Sequence, residues 1–205
     1  TNSIVVANSH GTNAANTFRA FDNFQTYEVE GNGNTVHDFT SMSGIENVVI
    51  ATGAGAPNTQ LIDLEAAQNV TVSGKNQTIG NASTADQNFG TVTLTNDAGA
   101  ARTITLENTA RLSNSTNGVR QDGVLTVNTL TIDTNPGTTV GATRNVTINS
   151  AGERTSANAI AQFNGRDVET LTLTGTQDLT INVATIADQA SNVAPGTNTS
   201  TSVQV

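Results

Sequence analysis

The sequence predicts an all-β chain wound as an irregular, right-handed parallel β-helix, a β-solenoid. Three observations carry that expectation. Val, Ile and Leu stand in short runs alternating with Thr, the period-two pattern of half-buried strands. Asn47, Asn69 and Asn145 each introduce a Val-x-Val or Val-x-Ile unit. Val48, Val70 and Val92 follow one another at intervals of 22 residues, within the range of one solenoid coil.

Taken in order, residues 1–44 differ from the rest and are expected to form an N-terminal cap or linking segment. Phe18, Phe21, Phe24 and Phe39 gather there with Tyr27, and their three-residue spacing predicts a helical turn over Asn16 to Phe24. A stack of coils needs its open end covered, which favours capping. Residues 45–183 form the expected solenoid. Its clearest strands are Val48–Ile50, Val70–Val72, Thr91–Thr95, Arg102–Leu106, Val124–Val127, Leu130–Ile132, Val146–Ile148, Leu171–Leu173 and Leu179–Ile181. Short helices are expected at Ser156 to Phe163 and at Ala184 to Val193, the second ended by Pro195-Gly196. Residues 184–205 are expected to lead into a further part of a larger chain.

The period breaks after Val92: Ile104 follows 12 residues later, and Leu125 and Leu130 are only 5 apart. A regular array is thereby excluded, whereas coils with loops of varying length are not. An internal echo supports repetition, since Ile45-Glu46-Asn47-Val48-Val49-Ile50 matches Val168-Glu169-Thr170-Leu171-Thr172-Leu173, and both run on into Thr-Gly. Strands this short cannot stand alone, but a stack pairs each with two neighbours and buries a column of aliphatic side chains. Asn at the corners tolerates left-handed backbone and stacks in ladders. The alternative fold is an antiparallel β-sandwich, for which Asn96-Asp97-Ala98-Gly99 would supply a hairpin turn.

Composition narrows the function classes. Of 205 residues, 36 are Thr, 26 Asn and 13 Ser, while only 12% are charged, so solubility rests on neutral polar groups. Without Cys there is no disulfide framework, no thiol catalysis and no Cys-based metal site. A net charge of −9 opposes nucleic acid, whose phosphates require clustered Lys and Arg. The acids concentrate in residues 1–100, where nine oppose only Arg19 and Lys75; this half is suited to divalent cations or a basic partner. No apolar run approaches the roughly 20 residues of a membrane-spanning helix.

Glu169-Thr170-Leu171-Thr172-Leu173-Thr174-Gly175-Thr176-Gln177-Asp178-Leu179-Thr180-Ile181 resembles the repeating segments of bacterial surface-layer proteins, most closely the calcium-dependent, type I-secreted, RTX-related kind. Gly44-Ile45-Glu46-Asn47-Val48-Val49-Ile50 resembles the same element, so the likeness spans Gly44 to Ile181. It implies a secreted, extracellular solenoid on the bacterial cell surface, tiling a lattice with copies of itself. It further implies calcium at turns and contacts, and anchoring to a cell-surface polysaccharide through another part of the protein. The tandem calcium-binding nonapeptide of that class is absent: Gly31-Asn32-Gly33-Asn34-Thr35-Val36 is a remnant with no Asp in place.

Calcium takes six to eight oxygens, mixing carboxylates with carbonyls of tight turns. Asp97, Asp122, Asp133 and Asp178 stand in such contexts and are the metal candidates, although Asp also favours turns by bonding its own backbone. No catalytic residues are assigned. His10 and His37 lack a Ser motif and are expected on the surface. Asp63 and Glu65, flanking Leu64, would share one strand face, but no cleft is indicated for glycoside cleavage. The six Asn-x-Ser/Thr triplets match chance for this composition, and the broken period argues against the ranks of an ice-binding face. The expected function is structural and non-enzymatic. The alternative is an adhesin stalk or binding module for glycan or host protein, disfavoured by one Tyr and no Trp.

Overall fold

The computed structural model describes residues 2–7, 24–40, 42–52, 55–65, 68–76, 78–79, 86–95, 101–109, 111–112, 124–133, 145–152, 157–166, 168, 170–187 and 202–204. Within them run sixteen strands: β1 (Ser3–Val6), β2 (Thr26–Val29), β3 (Thr35–Asp38), β4 (Asn47–Ile50), β5 (Thr59–Ile62), β6 (Asn69–Ser73), β7 (Thr78–Ile79) and β8 (Gln87–Thr95). They continue with β9 (Ala101–Asn108), β10 (Arg111–Leu112), β11 (Leu125–Asp133), β12 (Asn145–Gly152), β13 (Asn158–Arg166), β14 (Thr170–Gly175), β15 (Leu179–Ala187) and β16 (Ser202–Gln204). One sheet has the order β1-β2-β4-β6-β9-β12-β14-β16, a second the order β15-β13-β11-β8-β5-β3, and β7 pairs with β10. Every pairing is parallel. From β2 onward the chain visits the first and then the second sheet once per turn, which is the winding of a parallel β-helix.

The register explains why the sequence period appears to fail. Val48 does lie beside Val70, but the next residue on that column is Ile104. Val92 belongs to the opposite sheet, between Thr59 and Leu130. Leu125 and Leu130 occupy a single strand, β11. A series that mixes two sheets has no constant step. The echo is likewise corrected: Val48 shares its column with Leu173, reached through Val70, Ile104 and Ile148, rather than with Leu171. That slip is two residues, so the same side chains still face inward.

Alternation sorts the side chains. Along β9 the odd positions Thr103 and Thr105 are half-buried, while Arg102, Ile104, Leu106 and Asn108 are buried. The interior is a column of aliphatic residues with Tyr27, Phe39, Phe89 and Phe163 among them. Ordering one residue costs about 1–2 kcal/mol of backbone entropy. Burying one aliphatic side chain returns about 1.5–3 kcal/mol. A four-residue rung with two inward side chains therefore falls short of breaking even by itself. Backbone pairing to the coils on both sides supplies the margin. Rungs β1 to β5 are of this thin kind, whereas β8, β11, β13 and β15 have nine residues each.

Polar groups manage the corners. The Asn34 side-chain oxygen accepts from the Asn58 amide in the next coil (2.9 Å), and that of Asn58 accepts from Thr91 in the coil beyond (2.7 Å). Asp86 does the same for Val124 (3.0 Å). At another corner the interior carries amides: Gln87 Nε2 donates to Asn108 Oδ1 (2.6 Å), and Asn158 Nδ2 donates to Leu106 O (3.2 Å), Ser150 Oγ (2.8 Å) and Ala151 O (3.0 Å). Arg102, facing inward, donates both terminal nitrogens to Glu65 O at 3.1 Å and one of them also to Gln68 O. A guanidinium presents five donors, enough to tie off the carbonyls of a tight turn in one stroke. Gly90 sits where Ala56 O, Pro57 O and the Asn58 side chain crowd the corner.

Several expectations are corrected. The proposed helix at Ser156 to Phe163 is strand β13 from Asn158 onward, because its residues pair with β11 and β15 on both sides. Ala184–Ala187 of the second proposed helix end β15, and its remaining residues lie outside the described set. The sandwich alternative falls because β8 and β9, the strands that Asn96 to Gly99 would join as a hairpin, lie in different sheets. As for residues 1–44, β1, β2 and β3 join the same two sheets, which leaves their expected role as cap or linking segment standing as an expectation; of the helical turn expected over Asn16 to Phe24, all but Phe24 lies outside the described residues.

A Cβ placed on Gly90 would meet oxygens at 2.3, 2.5 and 2.8 Å, whereas one on Gly33 meets nothing within 4 Å. Gly90→Ala should lower unfolding stability by about 1–3 kcal/mol in a urea titration, as overpacking does. Gly33→Ala should stay within about 0.5 kcal/mol of the parent.

Candidate functional site

Parallel, in-register strands place chemically equal side chains in columns about 4.8 Å apart per coil. On the outside of the first sheet one column runs Thr71, Thr105, Asn149, Thr174, and beside it run Thr103, Thr147, Thr172. On the outside of the second run Gln60, Thr93, Thr131, Asn164, Thr185, with Thr91, Thr129, Gln162, Val183 beside them. None of these side chains is charged. Long contacts link some of them from coil to coil: Asn149 Nδ2 to Thr105 Oγ1 (3.5 Å), Thr174 Oγ1 to Asn149 Oδ1 (3.5 Å) and Asn164 Nδ2 to Thr131 Oγ1 (3.4 Å). Shorter bonds run from Gln162 Nε2 to Asn164 Oδ1 (3.0 Å) and from Gln60 Nε2 to Thr95 Oγ1 (3.1 Å), and each hydroxyl or amide retains further donor or acceptor capacity for an outside partner.

Acids stand at the ends of columns and strands: the column of Thr71 runs on through Val49 to Glu28. Glu28, almost covered, pairs with Lys75 at 2.5 Å, and Glu107 accepts from Ser73 Oγ at 2.8 Å. The Thr40 hydroxyl oxygen lies 2.6 Å from Asp38 Oδ1 and 2.8 Å from Asp63 Oδ2. One hydroxyl carries one hydrogen, so it serves one carboxylate at a time, and Thr40 N supplies a second donor to Asp38 (2.9 Å). Asp63 has left-handed backbone (φ 56°) in the turn after β5, and Glu65 follows in the same turn. The expectation that Asp63 and Glu65 share a strand face is therefore corrected: the strand ends at Ile62, and the turn separates them.

Among the metal candidates, Asp178 is exposed in the turn between β14 and β15, and its backbone carbonyl accepts from Asn158 N (2.8 Å) and Ser150 Oγ (3.3 Å). Asp133 ends β11, in register with Thr95. Asp97 and Asp122 lie outside the described residues. Among the described residues no three His, Asp or Glu side chains gather closely enough to hold a metal ion.

The interior holds one polar pair that sequence reasoning misplaced. His37, expected on the surface, is fully buried, and its Nδ1 lies 2.8 Å from the Tyr27 hydroxyl. The Tyr27 ring meets His37 and Phe39 edge-on, with centroids 5.5 and 5.1 Å apart. The alternation Thr35-Val36-His37 held the signal, since His37 shares its face with Thr35, whose register partner Thr59 is buried. Burial pushes the Tyr27 phenol above its ordinary value. His10 lies outside the described residues.

Taken together, fold and faces define a parallel β-solenoid whose outer sheets display neutral Thr and Asn columns. Comparison with protein-family models, with curated proteins and with solved structures finds no match. Among the described residues no helix is long and apolar enough to cross a membrane.

Tyr27 is the sole tyrosine, so its ionisation is read directly from tyrosinate absorbance. The folded chain holds the phenolic proton to higher pH than the unfolded chain does. Its contribution to stability is then complete below the ordinary tyrosine value near pH 10 and is lost as pH rises beyond it. In alkaline titration, tyrosinate should appear together with loss of β circular dichroism. A phenol that ionises near pH 10 in the intact fold would contradict the burial.

Proposed function

We propose that the chain is a structural segment of a bacterial cell-surface lattice, a surface-layer protein that self-assembles outside the cell with calcium assisting. The observation that carries this reading is the set of uncharged, in-register Thr and Asn columns on both outer sheets. Such a face can meet a copy of itself without bringing like charges together, and its hydroxyls and amides can donate and accept across the contact. The low share of charged residues, 12%, supports the same reading. So does the resemblance of Gly44 to Ile181 to surface-layer repeats, and lattice anchoring falls to another part of such a protein. Calcium enters through contacts between copies: an exposed carboxylate such as Asp178 offers a fraction of the six to eight oxygens an ion takes. A neighbouring molecule and water would supply the others.

Purified protein in millimolar calcium should form ordered assemblies in electron micrographs and unfold at higher temperature than in chelator, since an ion that binds only the folded state stabilises it. The double variant Thr147→Lys and Asn149→Lys, which sets charges on the outer face, should stay monomeric with the parent's unfolding midpoint. Protein that is monomeric and indifferent to calcium under all conditions would remove the lattice reading.

A further inference from the structure

Between β2 and β3 the chain turns through Gly31-Asn32-Gly33-Asn34, a segment that the lattice reading does not use. The turn is pinned on both sides. Glu30 N donates to Val6 O (2.8 Å), Asn58 N donates to Asn34 Oδ1 (2.9 Å), and Thr35 N donates to Asn58 O (2.9 Å). Its centre is loose: Asn32 and Gly33 are exposed, and among the described residues neither makes a hydrogen bond. The space around Gly33 is open, since a Cβ there meets nothing within 4 Å. The same dipeptide recurs at Asn164-Gly165 in the opposite setting. Both residues belong to β13, and Gly165 is buried, in register with Ile132 on one side and Ile186 on the other. The Asn164 side chain donates to Thr131 Oγ1 (3.4 Å) and accepts from Gln162 Nε2 (3.0 Å). A third pair, Asn117-Gly118, lies outside the described residues.

We propose that Asn32 is a site of self-modification, at which the folded chain converts a side-chain amide into a carboxylate without an enzyme. The Gly33 nitrogen, having lost its proton to solvent base, bonds to Asn32 Cγ; the Cγ–Nδ2 bond breaks and ammonia leaves. Water then opens the five-membered imide. Cleavage at Cγ gives aspartate, and cleavage at the main-chain carbonyl gives isoaspartate, whose backbone runs on through the side chain. Nothing is oxidised or reduced. Ring closure swings Cγ onto the next amide nitrogen, so the backbone must be able to leave the extended conformation and that nitrogen must be free of a ladder bond. Glycine in the second position removes the Cβ that would crowd the attack. Asn32-Gly33 meets all three conditions. Asn164-Gly165 meets only the last, because ladders on both sides of β13 hold its backbone extended, and it reacts only when that strand opens. The product adds a negative charge to an already acidic chain, two residues along from Glu30. The bonds at Glu30, Asn34 and Thr35 keep β2 and β3 in place around it.

Whole protein incubated at pH 8, sampled over time, digested with pepsin in acid and read by mass spectrometry tests the site. The Asn32 peptide should take on the mass of an amide exchanged for an acid, with isoaspartate among its products. The Asn164 peptide should react about a hundredfold more slowly, since it waits on local opening. In urea strong enough to unfold the chain, the two should react at similar rates. Incubation at pH 7 should slow Asn32 about tenfold, because the attacking nitrogen must first lose its proton. Gly33→Ala, for which the surroundings leave room, keeps the fold and should slow Asn32 severalfold by placing a Cβ beside that nitrogen. An Asn32 that keeps its amide while the unfolded chain reacts would overturn the proposal. So would equal rates at Asn32 and Asn164 in the folded protein, or a rate indifferent to Gly33→Ala.

Discussion

The structure depends on parallel backbone pairing from coil to coil. No rung here is long enough to be stable alone: entropy lost in ordering four residues exceeds the gain from burying two aliphatic side chains. Amides and carbonyls shared with the coil above and the coil below make up the difference, and every pairing in the two sheets is of that type. Whatever strengthens registration between coils strengthens the whole. The Asn34 to Asn58 to Thr91 relay does so by spending each corner side chain on the amide of the following coil.

Polar groups inside the solenoid belong to the same economy of hydrogen bonds. The Gln87, Asn108, Asn158 and Ser150 cluster absorbs carbonyls left by the bend between the sheets. Arg102 satisfies the Glu65 and Gln68 carbonyls from within. These groups cost desolvation, and they are placed where backbone atoms would otherwise lack partners. The Tyr27 and His37 pair differs, because it ties two side chains to each other and both are ionisable. It lies among the shortest rungs, where the interior is least braced.

The outside follows a different rule. Glu28, Glu107 and Asp38 are tied up by Lys75, Ser73 and Thr40, and much of the sheet surface is left to Thr, Asn and Gln. Such surfaces keep a protein soluble by hydrogen bonding rather than by repulsion, which permits close approach of a like surface. The proposed lattice role draws on that property and on no convergent set of catalytic groups.

How much of this was legible beforehand depends on range. Alternation of Val, Ile and Leu with Thr determined strand character and which residues face inward, even for Arg102, which keeps step with Ile104 and Leu106. It also pointed to stacked coils and to Asn at their corners. It did not show that Val92 lies on the opposite sheet from Val70, that Asn158 to Phe163 extends as a strand, or that His37 is enclosed. Side-chain periodicity is a local property, set by the two-residue repeat of an extended backbone, and so it can be read along the chain. Which coil a strand joins depends on loops of unequal length and on hydrogen bonds between residues tens of positions apart. Those pairings exist only once the chain has wound upon itself.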